Sequence, residues 1–232
     1  MLLGRRKSIA VFLVGFATTL YGCGGGSDPV ATGSVASLPV TIFPVDSVVT
    51  ELATAGGRFD GTYTGSTGVR ETLSINYTQV SPGQFTRQET LIQNGATLRS
   101  KKSTINFLNS PFRITGWTDQ ALNPVAISQG APLPVSANIG DGAVIMYGTQ
   151  YIQNNGLSDA DIGLTHRVTL AWTLAAHSAS TADLCISQTI GADFINTKKL
   201  DCFEIDASGK ILSFKGVIQI HSKSIDEEVI YQ

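Results

Sequence analysis

The chain has 232 residues, of which 42% are hydrophobic and 15% charged, and its formal net charge is −2. This composition argues against a wholly disordered chain, because enough apolar surface is present to offset the entropy lost on ordering. Nucleic-acid binding is disfavoured as well, since it depends on clustered Lys and Arg residues. We interpret the basic pair Lys101-Lys102 as part of a solvated strand or turn.

The first 22 residues have the three-part order of an export signal. Positive charges at residues 5–7 precede a short apolar core at residues 9–16, and the polar Thr18 and Thr19 end that core. A spanning helix needs about 20 apolar residues, so a cleaved signal peptide is favoured over a stable membrane anchor.

The tetrapeptide Leu20-Tyr21-Gly22-Cys23 resembles the lipobox of bacterial lipoproteins. This resemblance implies that residues 1–22 are a lipoprotein signal peptide, that the chain is cut before Cys23, and that the Cys23 thiol carries a lipid. The alternative is an ordinary secretory signal with an incidental cysteine. Gly24 stands where enteric lipoproteins retained in the inner membrane have aspartate, so the resemblance favours a lipid anchor in the outer membrane. The membrane is then a partner through the N-terminal acyl chains.

Residues 23–43 are predicted to be the lipidated cysteine followed by a flexible tether, because residues 24–38 are small, polar and rich in glycine. Removal of residues 1–22, which carry three positive charges and no acid, changes the formal net charge from −2 to −5. Residues 44–232 are predicted to form the folded domain, with one candidate internal boundary near residues 119–134. Prolines in that region suit either a linker or a crossing between sheets.

A short helix is predicted at the start of the domain. Asp46 or Ser47 is positioned to cap it, and Gly56-Gly57 to end it. Apolar residues at helical spacing between these points give the helix one buried face.

Beyond the helix the hydrophobic period changes to two, which indicates strands with one buried face. The clearest example is "VTLAWTL", in which the four apolar residues Val168, Leu170, Trp172 and Leu174 alternate with smaller or polar ones. Asn94-Gly95 is the strongest hairpin signal. In "QFTRQETLIQ" one face carries Phe85, Arg87, Glu89 and Leu91 and is therefore less uniformly apolar.

The other predicted strands are 59–63, 71–80, 104–108, 112–117, 135–139, 144–152, 184–190, 200–205 and 211–221. Gly, Pro, Asn and Ser separate them, and no helical pattern lies between them. We therefore predict an all-β fold, either an antiparallel β-sandwich or a barrel-like meander of about ten strands, preceded by the short helix.

Cys185 and Cys202 lie 17 positions apart on consecutive predicted strands. An exported protein enters an oxidising compartment, so we predict a disulfide between them. A catalytic thiol would need an activating base, and a zinc site would need paired C-x-x-C clusters that the sequence lacks.

Other candidates for chemistry are weaker. The histidines His166, His177 and His221 are interpreted as surface or rim residues, since the first two flank one strand at opposite ends. Asp159 and Asp161 lie in an oxygen-rich segment that is a weak calcium candidate but lacks the EF-hand spacing. Because no hydrolase, metalloprotease or phosphate-binding motif is present, we expect no enzyme activity, no catalytic residue, no cofactor and no metal.

The order of the signal, lipobox, tether and helix, followed by "PLPVSANIGDG", "TADLCISQTI" and "DCFEIDASGK", resembles that of β-rich lipoproteins of Gram-negative bacteria. This resemblance implies a location and a fold but no activity. "FDGTYTG", residues 59–65, resembles the Gly-x-aromatic opening strand of lipocalin-like barrels.

Two functional classes follow from the sequence. In the first, the domain is a non-enzymatic binding or envelope-interaction module that contacts an unknown protein, with sites in loops such as 119–132 and 153–165. In the second, it is a lipocalin-like carrier of a small lipophilic ligand.

Overall fold

The computed structural model describes residues 42–65, 68–152, 165–192, 195–222 and 226–232. These ranges all belong to one compact unit, Leu38–Gln232, and residues 119–134 lie inside it. The predicted signal peptide, Cys23 and most of the predicted tether fall outside the described residues, as do Asp159 and Asp161.

The fold is all-β, as predicted, with one short helix. The helix α1 is Val45–Thr54, and the strands are β1 Ile42–Phe43, β2 Gly57–Thr64, β3 Arg70–Ser81, β4 Gln84–Gln93, β5 Ala96–Leu108, β6 Arg113–Thr118, β7 Val125–Gly130, β8 Ala137–Asn138, β9 Gly142–Tyr151, β10 Thr165–Ala176, β11 Thr181–Ala192, β12 Ile195–Asp206, β13 Ile211–Ser222 and β14 Asp226–Tyr231.

The strands form antiparallel sheets in which most neighbours are consecutive in the chain. One sheet has five strands in the order β2-β3-β4-β5-β6, and the other has seven in the order β14-β13-β12-β11-β10-β9-β7. The two-residue strands β1 and β8 pair separately. A meander of this kind needs only short turns, and Asn94-Gly95 supplies one as predicted, with φ of 49° and 84°.

The two large sheets meet along both pairs of edges. On one side, Thr62 in β2 and Gln232 exchange backbone hydrogen bonds of 2.8 and 3.1 Å. On the other side, Thr118 forms an antiparallel bridge with Pro124. At the first junction a Cβ on Gly61 would lie 2.9 Å from the backbone of Tyr231, so only glycine allows the strands to approach so closely. The result is a barrel-like sandwich with an interior lined by both sheets.

Helix α1 packs its apolar face into the core: Val45, Val48 and Leu52 are almost fully buried. The helix is confirmed, but its predicted cap is wrong. Pro44 occupies the N-cap position and makes no side-chain cap hydrogen bond. Asp46 lies in the first turn, and its carboxylate accepts a hydrogen bond of 2.6 Å from the backbone N–H of Phe112. The acid therefore fixes the helix to a neighbouring segment rather than capping it.

The apolar residues that alternate in the sequence of β10 face the interior, as predicted. Val168, Leu170, Trp172 and Leu174 are all buried. Aromatic rings join the two sheets, since Phe59 of β2 lies 5.1 Å from Phe203 of β12 between ring centroids, in an edge-to-face arrangement.

Three segments differ from the prediction. β7 occupies part of the predicted loop 119–132, because its pairing partner β9 is specified only by the tertiary fold. The predicted strand 135–139 is reduced to Ala137–Asn138. β14 was not predicted, because the acids in "DEEVIY" mask its alternation. Among the described residues, no helix is long and apolar enough to span a membrane.

Candidate functional site

A group of five charged side chains and one tyrosine lies between the two sheets. We call it the ionic cluster, and its members are Tyr77 on β3, Arg87 and Glu89 on β4, Arg99 on β5, and Lys199 and Asp201 on β12. Charged residues are rarely buried unless they are paired. The contacts within the cluster therefore decide whether it stabilises the fold, performs chemistry, or does both.

Asp201 is the centre of one half of the ionic cluster. Arg87 donates to it twice, from Nε to Oδ2 at 2.7 Å and from Nη2 to Oδ1 at 2.8 Å. The Tyr77 hydroxyl donates to Oδ2 at 2.7 Å. This is a two-pronged arginine–carboxylate pair, the strongest common geometry for an ion pair. Because Arg87 and Asp201 belong to different sheets, the pair holds the two sheets together.

Glu89 is the centre of the other half. Its side chain is 2% exposed, and Lys199 Nζ donates to both of its oxygens, at 2.8 and 2.7 Å. Arg99 Nη2 donates to Oε1 at 3.0 Å, and Arg87 Nη1 lies 3.4 Å from Oε2. One carboxylate therefore serves three cations.

The sharing of the Glu89 carboxylate among three cations affects the pKa values of Glu89 and Lys199. Burial alone would raise the pKa of Glu89, but the surrounding cations lower it from 4.5 to about 2. For Lys199 burial is the larger effect, and its pKa falls from 10.5 to about 8. Attraction to Glu89 offsets only part of this decrease, and repulsion from Arg87 and Lys101 adds to it. The ionic cluster therefore carries more positive charge than its carboxylates neutralise.

The groups around Asp201 are fixed in their ordinary charge states. Burial and then the Asp201 carboxylate raise the pKa of Tyr77 well above its usual 10. Burial would lower the pKa of Arg87, but Asp201 raises it above its usual value. At neutral pH Tyr77 is therefore a hydrogen-bond donor and Arg87 is a cation.

A cavity of about 70 Å³ adjoins the ionic cluster. Its wall is mainly apolar, with Phe85, Ile105 and Leu170 among its side chains, and Ser103 and Lys199 belong to its polar part. Ligand pockets for small organic molecules usually measure about 300–1,000 Å³. The cavity is much smaller than that range.

The arrangement is suited to holding the two sheets together, because its ion pairs cross between them. Each carboxylate of the ionic cluster is fully engaged with cations, so neither is positioned as a free general base. Within the described ranges, no group of three or more His, Cys, Asp or Glu residues could hold a metal ion. Most polar groups of the described interior satisfy each other, whereas Arg99 Nε and Trp117 Nε1 are buried without a hydrogen-bond partner.

The predicted disulfide is confirmed: Cys185 and Cys202 are bonded. They lie directly opposite each other on β11 and β12. Their neighbours Ile186 and Asp201 point inward, so the disulfide lies on the outer face of the seven-stranded sheet, away from the ionic cluster.

The described histidines, His166 and His177, are not members of the ionic cluster. His177 is 44% exposed and contacts the carboxylates of Asp183 and Glu204 at 2.9 and 3.5 Å. His166 is half-buried, and the side chain of His221 lies outside what the structure describes. Cys23, Asp159 and Asp161 also lie outside the described residues, so lipidation and calcium binding stay predictions.

Sequence reasoning missed the ionic cluster, although one signal was present. The alternation in β4 places Arg87 and Glu89 on the same face as Phe85, and that face proves to be the inward one. The partners Lys199 and Asp201 are more than 100 positions away, and their pairing follows only from the way the two sheets face each other.

Comparisons with known proteins add no identification. No family model matches the chain, no curated protein matches it, and no solved structure matches it.

Proposed function

We propose that the chain is a lipid-anchored outer-membrane protein whose β domain is a non-enzymatic binding or envelope-interaction module. The observation that carries the proposal for the domain is the filled interior, in which ion pairs and apolar side chains leave a cavity of only about 70 Å³. An interior filled in this way leaves recognition to the outer surface and edges of the sheets. The lipobox-like segment ending at Cys23 supports the location.

A small lipophilic ligand is the alternative. The apolar wall formed by residues such as Phe85, Ile105 and Leu170 favours it, because lipophilic ligands bind to apolar cavities. The volume disfavours it, since an engineered cavity that binds benzene measures about 150 Å³. A carrier would therefore have to open substantially to accept a lipid.

The anchor is tested by replacing Cys23 with serine. Cells are fed radiolabelled palmitate, and washed outer membranes are probed for the chain. We expect Cys23→Ser to lose the label and the membrane fraction, while Thr18→Ser, a conservative change within the signal, keeps both. Retention of unlabelled Cys23→Ser in washed outer membranes would refute the anchor.

The binding module and the carrier are separated by native mass spectrometry of the purified chain, followed by lipid extraction. A mass equal to that of the processed polypeptide with its acyl groups is expected for the binding module. An additional mass that disappears on extraction with organic solvent would support the carrier instead.

A further inference from the structure

Part of strand β5 has a neighbour on one side only. β5 pairs with β4 along most of its length, whereas β6 covers only Thr104–Leu108. We call Ala96–Ser103 the open edge, because within the described ranges no strand pairs with its second side. Such an edge presents unpaired backbone N–H and C=O groups, which can hydrogen-bond to another extended chain.

The open edge is accessible along its length. Six of its eight residues are exposed, and Arg99 and Ser103 are half-buried. A bulge leaves Leu98 without a partner on β4, since Leu91 pairs with Arg99 and Ile92 with Thr97. The regular part of the open edge is therefore Arg99–Ser103, about the length of a short added strand.

The open edge is positively charged and contains no acid. Its regular part reads Arg99-Ser100-Lys101-Lys102-Ser103. Lys101 lies opposite Glu89 and therefore on the inward face, whereas Lys102 lies opposite Gln88 on the outward face. Of the described carboxylates, none is within salt-bridge distance of either lysine. Glu89 cannot neutralise them fully, because Lys199, Arg99 and Arg87 already share it.

Charge decides what can lie along such a strand. Opposite charges facing each other across two strands are stabilising, whereas like charges are destabilising. A second copy paired edge to edge would place Lys and Arg residues against one another, which is how proteins commonly prevent self-association at an edge. An extended segment with acidic side chains has the complementary charge on both faces.

We infer that the open edge is a strand-addition site for an extended acidic segment of a partner protein. Backbone hydrogen bonds to Arg99–Ser103 supply the affinity, and carboxylates facing Arg99, Lys101 and Lys102 supply the selectivity. This inference rests on the proposed binding function and names the class of partner.

The test is a fluorescence-anisotropy titration of the purified full chain with three labelled heptapeptides. The first is Thr-Glu-Glu-Thr-Glu-Glu-Thr, which carries carboxylates on both faces when extended, the second has lysine in place of each glutamate, and the third is the glutamate peptide with every backbone amide methylated. Methylation removes strand hydrogen bonds and keeps the charge. We expect the first peptide to bind, the second not to bind, and the third to bind at least about tenfold more weakly.

Charge reversal locates the site on the protein. The double variant Lys101→Glu/Lys102→Glu should bind the glutamate peptide at least about tenfold more weakly. Lys210→Glu is the matched control, because it reverses an exposed lysine in the turn between β12 and β13, and it should bind like the wild type. Circular dichroism of each variant verifies that it is folded.

Several results would overturn the inference. Equal binding of the methylated and unmethylated peptides would show attraction without strand addition. Equal binding by the double variant would place the site elsewhere. Sedimentation with phosphatidylglycerol vesicles that depends on Lys101 and Lys102, without peptide binding, would make the open edge a membrane contact. The titration uses no membrane, so its failure is distinguishable from failure of the lipid anchor.

Discussion

Replacing Lys199 with methionine should remove a rise in stability at alkaline pH. The folded-state pKa of Lys199 is about 8, below its usual 10.5, because burial outweighs its share of Glu89. Between these two values the unfolded chain binds more protons than the folded one, so the free energy of unfolding rises with pH. Integration from about pH 7 to about pH 9.5 gives a rise of about 2 kcal/mol from this residue.

The assay is urea unfolding, followed by tryptophan fluorescence at half-unit steps across that window. Stopping near pH 9.5 keeps the tyrosines largely protonated, so their ionisation contributes little. Lys199→Met should show no such rise, because methionine is similar to the aliphatic part of lysine but does not titrate. Glu89 keeps Arg99 as a partner in this variant. Lys210→Met, which removes an exposed charge, should retain the rise. A rise in Lys199→Met equal to that of the wild type would refute the reasoning.

Three further changes test the fold. Glu89→Gln should lower the free energy of unfolding in urea by about 3–5 kcal/mol, because it leaves the buried Lys199 without a carboxylate partner. Since the folded-state pKa of Glu89 lies below 4.5, wild-type stability should fall as the pH drops from about 4.5 towards 2, and the fall should be smaller in the variant. Gly61→Ala should lower the melting temperature, with a cost of about 1–3 kcal/mol from the clash with β14, whereas Gly130→Ala, whose Cβ would be 3.6 Å from its nearest neighbour, should not. Replacing Cys185 and Cys202 by serine together should cost about 3 kcal/mol in urea, and an unchanged midpoint would contradict that value.

Local patterns predicted much of the architecture. Alternation identified the buried face of β10, Asn94-Gly95 identified a hairpin, and the positions of Cys185 and Cys202 on consecutive predicted strands identified the disulfide. Each of these features depends on residues close in sequence or on chemistry that applies to a whole class of proteins.

The ionic cluster could not be predicted from any local sequence pattern. Arg87 and Glu89 on β4 are compatible with either a solvated or a buried face, and only Lys199 and Asp201, on the opposite sheet, make burial favourable. Local patterns were also insufficient for Asp46. Its position near the start of the helix suggested a cap, but its carboxylate instead accepts a hydrogen bond from the backbone N–H of Phe112.

The hydrogen bonds between Thr62 and Gln232 have a kinetic consequence. Nearly all other neighbouring strands are joined by short connections, so their pairs can form as successive hairpins. Thr62 and Gln232 are 170 residues apart, and bringing the ends of so long a segment together carries about 2–3 kcal/mol more entropy loss than closing a ten-residue loop. We therefore expect the seam between β2 and β14 to form late in folding, after the hairpins have shortened the effective distance between its two sides. Until it forms, β2 and β14 are both unpaired edges, so the nascent domain is most prone to association with other chains in that interval.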